Sequence, residues 1–264
     1  MPDAIELFQQ GKLQEAVTVA ADLVKSRPSD ITARSLFCEF LCYTRDWERA
    51  DKQLDAITKL DSESMIGASM FRHLIRCEVA RDEVFNKGRV PQFVDKPSDV
   101  TQKRLEALTS LREGDGAASV KLLAEASELE PELSGKYNGN AFSGLRDLDD
   151  LLGTVLEVFT ATGEYYWVNL AQVESLEFEK PSNLIDQLWR RARIETVGEL
   201  SGHIHIPAIY FASGANEDGR VQIGRATDWV EPAPGLIRGQ GQREFLVGEE
   251  AVTILEFRNL TLGN

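Results

Sequence analysis

A hexapeptide near the start of the chain recurs once, in register. Gly11-Lys12-Leu13-Gln14-Glu15-Ala16 returns as Arg45-Asp46-Trp47-Glu48-Arg49-Ala50, with 34 residues separating Ala16 from Ala50. Each copy sets a small residue where two antiparallel helices have to touch, so the spacing predicts stacked helical hairpins. The first copy closes at Pro28, twelve residues beyond Ala16, where a second helix must stop because proline lacks the N–H and clashes with the preceding turn. The grammar returns at Gly114-Asp115-Gly116-Ala117-Ala118-Ser119 and closes at Pro131, twelve residues after Ser119.

A 34-residue period is that of a tetratricopeptide-type repeat, an architecture that builds surfaces for other proteins more often than reaction centres. Apolar stripes support it. Ile5, Leu7, Phe8, Leu13, Val17 and Leu23 mark a hairpin over 2–26; Leu36, Phe37, Phe40 and Leu41 follow an N-capping Asp30. Asp46 to Leu60 supplies the partner helix, with Trp47, Leu54 and Ile57 inside. A fifth helix over Met65 to Phe85 fits the repeat poorly, which makes the third unit degenerate, and Asn86 to Ser98 is a loop. Asp99 to Gln102 has capping-box spacing, opening the last helical pair. Phe8, Phe37, Phe40, Leu41 and Trp47 are the helical candidates for binding a protein, with packing as their other role.

Composition narrows the partners. The net charge of −14 argues against a phosphate backbone or an anionic membrane as the principal one. The first sixteen residues lack the basic start and apolar core of a secretory signal, and no apolar run approaches a bilayer span. Three cysteines, Cys38, Cys42 and Cys77, give neither a disulfide framework nor a CxxC metal site and read as small buried residues. The expectation is a soluble cytoplasmic protein.

At Pro131 the texture changes to a turn-forming stretch through Asn140. We therefore expect an α+β chain: tetratricopeptide-like helical hairpins over 1–131 and a β-rich C-terminal domain over 141–264. A short helix is expected at Leu145–Leu152 and another at Leu184–Trp189. Strands are expected at Val155–Phe159, Tyr165–Val168, Val173–Phe178, Arg193–Val197, His203–Tyr210, Val221–Ala226, Arg243–Val247 and Thr253–Leu262.

Several segments of this second half run in a fixed order: Leu156-Glu157-Val158, Gly163 to Val168, Glu174 to Pro181, Leu184 to Trp189, Ile206-Pro207-Ala208 with Tyr210, Gly224 to Trp229, and Gly239 to Arg243. In this order the chain resembles the ImpE/TagJ (SciE-type) family, accessory proteins of bacterial type VI secretion. It departs from the family pattern at Asn169 and Asn183. The resemblance implies a non-enzymatic adaptor that engages a helix of the contractile sheath's small subunit (TssB-type). It also implies an influence on sheath assembly or on recycling by a ClpV-type unfoldase. No catalytic, cofactor or metal residue follows from it.

Other constellations have bland readings. Tyr165, Tyr166 and Trp167 alternate on a strand, burying Tyr166 and leaving Tyr165 and Trp167 as rim candidates for a protein interface, although strand-core packing is favoured. Arg190, Arg191 and Arg193 read as partners of Glu177, Glu179 and Glu195 rather than as a nucleic-acid patch. His203 and His205 share a strand face without a third ligand. Asp147, Asp149 and Asp150 read as first-turn or exposed helix carboxylates, Asp228 as a partner ordering Arg225, and Gly239 with Gly241 as a turn. Two rival classes stay open: a general scaffold or chaperone for another complex, and an enzyme with a β-rich catalytic domain using His203 or His205.

Overall fold

A computed structural model describes residues 3–198 and 200–263. Seven helices come first: α1 (Ala4–Gln9), α2 (Leu13–Ser26), α3 (Ile31–Tyr43), α4 (Trp47–Leu60), α5 (Met65–Lys87), α6 (Asp99–Arg112) and α7 (Gly116–Leu129). The repeat is written in their turns. Gly11, Arg45 and Gly114 all adopt left-handed φ, at 78°, 58° and 85°. In each case the next residue's N–H reaches back to a carbonyl in the helix before: Lys12 to Leu7, Asp46 to Leu41, Asp115 to Ser110, all at 2.9 Å. The small residues Ala16, Ala50 and Ser119 are fully buried at the hairpin contacts. Helix α5 stands alone between two hairpins, as the broken repeat implies.

Caps follow side-chain chemistry. Asp30, Asp46 and Asp115 accept from the backbone three residues on. For α6 the cap is Ser98, not Asp99, because the Ser98 hydroxyl accepts from the Thr101 N–H and Asp99 sits in the first turn beside the helix dipole.

Thirteen strands follow among the described residues. Eight form one antiparallel sheet in the order β2 (Asn140–Ser143), β1 (Ser134–Tyr137), β13 (Asn259–Gly263), β6 (Val173–Phe178), β7 (Trp189–Thr196), β8 (Ser201–Pro207), β4 (Val155–Thr160) and β5 (Tyr165–Asn169). A second sheet joins β12 (Glu250–Thr253), β11 (Glu244–Val247) and β3 (Leu145–Asp147), and β9 (Thr227–Ala233) pairs with β10 (Leu236–Gly241). The architecture is α+β, as the sequence implied.

Period-two alternation divides the large sheet between two cores. On β4, Val155 and Phe159 face the helices while Leu156 and Val158 face a second core under the three-stranded sheet. On β5, Tyr165 and Trp167 go under the helices and are buried, and Tyr166 is half-buried on the opposite face. The sequence reading had this parity reversed, because nothing in it said which sheet face the helices cover.

Three local expectations are corrected. Residues Leu145–Leu152 form β3 and a turn rather than a helix: the Asp149 carboxylate takes the Leu151 N–H at 2.9 Å, and Asp147 takes that of Asp149 at 2.8 Å. Val221–Ala226 is the end of a one-turn helix, α8 (Gly219–Gln222), and a bend. Gly239 and Gly241 lie in β10, where a side chain at Gly239 would strike the Tyr210 ring at 2.3 Å.

Candidate functional site

Where the helical half meets the sheet, a groove opens among α3, α4, the first half of α5 and a 3-10 turn over Leu184–Gln187. It has two lobes, of about 270 Å³ and 160 Å³, that share Gly67, Phe71 and Asn183. Leu54, Ile57 and Ala68 line one lobe, and Leu74, Ile185 and Trp189 the other. Phe71 meets Trp189 edge-on with ring centres 6.2 Å apart, closing the wall between helix and sheet. Gly67 leaves the floor open, since a Cβ there would meet nothing within 4 Å. Beside the groove, Ile66 is 85% exposed and Met65 60% exposed, while Met70 is half-buried. Isolated exposed apolar residues are ordinary; several beside an apolar groove mark an interaction surface.

The 3-10 turn is held rigidly. Asp186 accepts from the Ser182 and Asn183 backbone N–H groups at 2.7 and 3.0 Å and pairs with Arg191 Nε at 3.1 Å. Burial opposes its ionisation, but those hydrogen bonds and Arg191 prevail and hold its pKa below the usual carboxylate value. Tyr43 of α3 donates its hydroxyl to the Leu184 carbonyl at 2.8 Å, tying the turn to the helices.

Of the titratable groups lining the groove, Glu39 and His205 are driven toward their neutral forms. Burial, reinforced by the Asp186 charge, pushes Glu39 up to about 7. Burial, reinforced by Arg191 and resisted by Asp186, brings His205 down to about 4. The His205 Nδ1 is buried with no hydrogen-bond partner, and no hydrogen bond joins His205 to Glu39. Neither is set up as a general base with an orienting partner. His203, two residues along β8, is exposed beside Glu179, 3.8 Å away. Among the described residues, no group of three or more His, Cys, Asp or Glu side chains is placed to hold a metal ion.

A second polar cluster lies between the halves and is fully enclosed. Arg81 of α5 forks onto Glu157 of β4 at 2.8 and 2.9 Å, Tyr165 donates to Glu157 at 2.6 Å, and Trp167 Nε1 donates to the Tyr165 hydroxyl at 2.6 Å. Arg243 joins Asp147 at 2.5 Å to Glu157 at 3.4 Å, and Tyr210 donates to Asp147 at 2.8 Å. Burial would raise the Glu157 pKa, but Arg81 and Arg243 outweigh it and the pKa is lowered. For Asp147 burial wins over Arg243, leaving it at about 6. The Asp147–Asp149 knot is therefore a pair of buried counter-ions, Asp149 meeting Arg238 at 2.7 Å, and not a run of exposed helix carboxylates. Asp228 accepts from Asn216 at 2.9 Å, while Arg225 reaches Gln9 instead.

Of the sequence candidates, Phe8, Phe37, Phe40, Leu41, Tyr165 and Trp167 are all buried within the chain. Phe8 stacks on Phe40 at 5.2 Å, and Trp167 is taken up by the enclosed cluster. Trp47 is half-buried, with the Arg45 guanidinium 5.9 Å from its ring. The groove is lined by α5 residues that the sequence reading passed over, Gly67, Ala68, Phe71 and Leu74, together with Leu54, Ile57 and Trp189, which it had named. The signal was present: Met65 and Ile66 are consecutive apolar residues at a helix start, more than one buried face requires. Cys38, Cys42 and Cys77 are free and buried. No helix among the described residues is long and apolar enough to cross a membrane.

Comparison with known proteins agrees across the whole chain. The sequence model of the family described as ImpE protein matches residues 139–261. The crystal structure of protein VPA1032 from Vibrio parahaemolyticus superposes with a TM-score of 0.92 at 32% identity, covering 99% of this chain and 97% of that one. The type VI secretion system accessory component TagJ of Pseudomonas aeruginosa is 30% identical over 257 residues, which is 97% of this chain and 90% of TagJ. Shared fold, shared length and this level of identity together make the chain a member of the ImpE/TagJ family of type VI secretion accessory proteins.

Proposed function

We propose that the protein is a non-enzymatic, cytoplasmic adaptor that seats one amphipathic helix of the sheath small subunit in the groove between α3, α4, α5 and the Leu184–Gln187 turn. Occupation of the groove then tunes sheath assembly or recycling by the ClpV-type unfoldase. The observation that carries this reading is a groove of mixed lining, with an apolar strip of Leu54, Ile57, Ala68, Phe71, Leu74 and Trp189, flanked by exposed Met65 and Ile66 on a helical-repeat scaffold. A helix presenting apolar anchors at i, i+3, i+4 and i+7 is the ligand such a groove accepts. Membership of a type VI secretion accessory family supports choosing a component of that system, here the sheath small subunit, as the proposed partner.

Calorimetric titration with the N-terminal helical segment of the cognate sheath small subunit tests it. Saturable binding is expected, weakened at least tenfold by Ile66→Glu and by Gly67→Trp. The second substitution starts from open space, since a Cβ at Gly67 meets nothing within 4 Å, and it replaces a poor helix former. Wild-type affinity in both folded variants would overturn the groove assignment; absence of binding to the wild-type protein would overturn the partner.

A further inference from the structure

Arg190 is only 3% exposed and has no carboxylate within ion-pairing distance among the described residues. Its neighbours behave as the sequence suggested, Arg191 pairing with Glu179 and Asp186 and Arg193 with Glu195. Arg190 instead donates to two backbone carbonyls, Glu179 and Phe257, and lies 5.6 Å from the Phe178 ring centre. Its Nε is buried with no hydrogen-bond partner. A guanidinium stays charged in any protein, and a buried charge without a counter-ion is costly. Carbonyl dipoles and an aromatic face offset part of that cost.

This arginine lines a cavity of about 830 Å³ on the far side of β7 from the groove. Lys180 and Arg258 stand at its rim, exposed and likewise without carboxylate partners among the described residues. Tyr137 and Phe178, both half-buried, supply an aromatic wall, with Phe257 buried in the core behind them. The one carboxylate in the lining, Glu256, is committed to its own turn, accepting from the Thr253 N–H and hydroxyl at 2.8 Å. Asn138, in a left-handed turn, fixes the opposite lip by accepting from the Arg258 and Asn259 N–H groups at 2.8 and 3.2 Å. Three cations without an ion-pair partner among the described residues therefore line one cavity, against the single carboxylate of Glu256, in a chain of net charge −14.

We propose that this cavity binds a small organic anion with at least two negative charges and a planar body, of the nucleoside-phosphate class. Lys180 and Arg258 contact the charged groups directly, and the buried Arg190 sets a fixed positive field behind them. The planar portion lies against the aromatic wall. The cavity volume falls within the range of small-ligand sites.

The test is thermal unfolding and equilibrium titration of the full chain with ADP, pyrophosphate and adenosine. ADP is expected to bind saturably, to raise the melting temperature, and to weaken steeply with added salt. Adenosine is expected to give no shift. Lys180→Ala combined with Arg258→Ala removes two exposed, unpaired side chains, so the fold remains and ADP binding should fall at least tenfold. No saturable ADP binding, or binding unchanged in that double variant, overturns the site. Pyrophosphate binding as tightly as ADP overturns the planar-body assignment. The groove variant Ile66→Glu should leave ADP binding intact, so the site stands or falls separately from the adaptor reading.

Discussion

Glu157 accepts from Arg81, Tyr165 and Arg243 with no exposure to solvent, so its charge is what makes that cluster tolerable. Glu157→Gln takes the forked carboxylate from buried Arg81, leaving it Glu78 at 3.5 Å, and leaves Arg243 with Asp147 alone, so it is expected to destabilise the fold by about 3–5 kcal/mol. A lowered urea midpoint with an unchanged slope checks this. Two groove residues contribute to the pH dependence alongside the enclosed Asp147. Glu39, raised to about 7 by burial and Asp186, stabilises the folded form fully below its unfolded value near 4.5. That contribution is lost as pH rises through 7. His205, depressed to about 4, acts in the other direction: its contribution is complete above its unfolded value near 6.5 and is lost as pH falls toward 4. Glu39→Gln should therefore gain stability over the wild type at pH 8 and show no gain at pH 4. His205→Asn should flatten the slope between 6.5 and 4. Denaturant titrations at a series of pH values read both. The Asp30 cap and the small residues Ala16 and Ala50 were legible beforehand because each acts within one turn or one repeat. The pairing of Arg81 with Glu157 was not, since they stand 76 positions apart in the chain.

At the scale of elements, the helical hairpins could be read because 3.6-residue periodicity and turn chemistry are local signals. The strands β4, β5 and β6 could be read for the same reason. The segment Leu145–Leu152 could not: its apolar spacing imitates a helix, while Asp147 and Asp149 take backbone N–H groups that close a turn. The parity of Tyr165, Tyr166 and Trp167 depended on which face α5 covers, a tertiary fact that no strand pattern contains. The groove was invisible for a related reason, being made by a helix that departs from the repeat together with a turn more than a hundred residues away. Arg45 shows what the repeat gave up to join the halves. It occupies a left-handed position that its equivalents fill with glycine, at a cost of order 1 kcal/mol. In return its guanidinium covers Phe211 at 4.5 Å and donates to the Phe211 carbonyl at 3.3 Å.

For the whole molecule, the sequence suggests division into 1–131 and 141–264, but one hydrophobic cluster runs from Ala4 through Trp167 and Trp189 to Leu236. A charge pair crosses the same boundary at Arg81 with Glu157, and the Arg104 guanidinium crosses it to donate to the Asp150 and Leu151 carbonyls. We expect a single cooperative unfolding transition, with helical and aromatic signals coinciding in urea. Two resolved transitions would restore the two-domain division. A fragment ending at Pro131 would expose the helix-facing side of that shared core and is expected to aggregate or lose helicity.

Strand β7 sends Trp189 and Arg191 toward the groove and Arg190 toward the cavity on its other side. Such a strand can accept many replacements one at a time, yet it cannot gain or lose a residue. A single deletion between Trp189 and Arg193 would turn the following side chains over, carrying charge under the helices and apolar groups into the cationic cavity. Length in this stretch is thus constrained more tightly than identity, and both surfaces of the protein would be lost together.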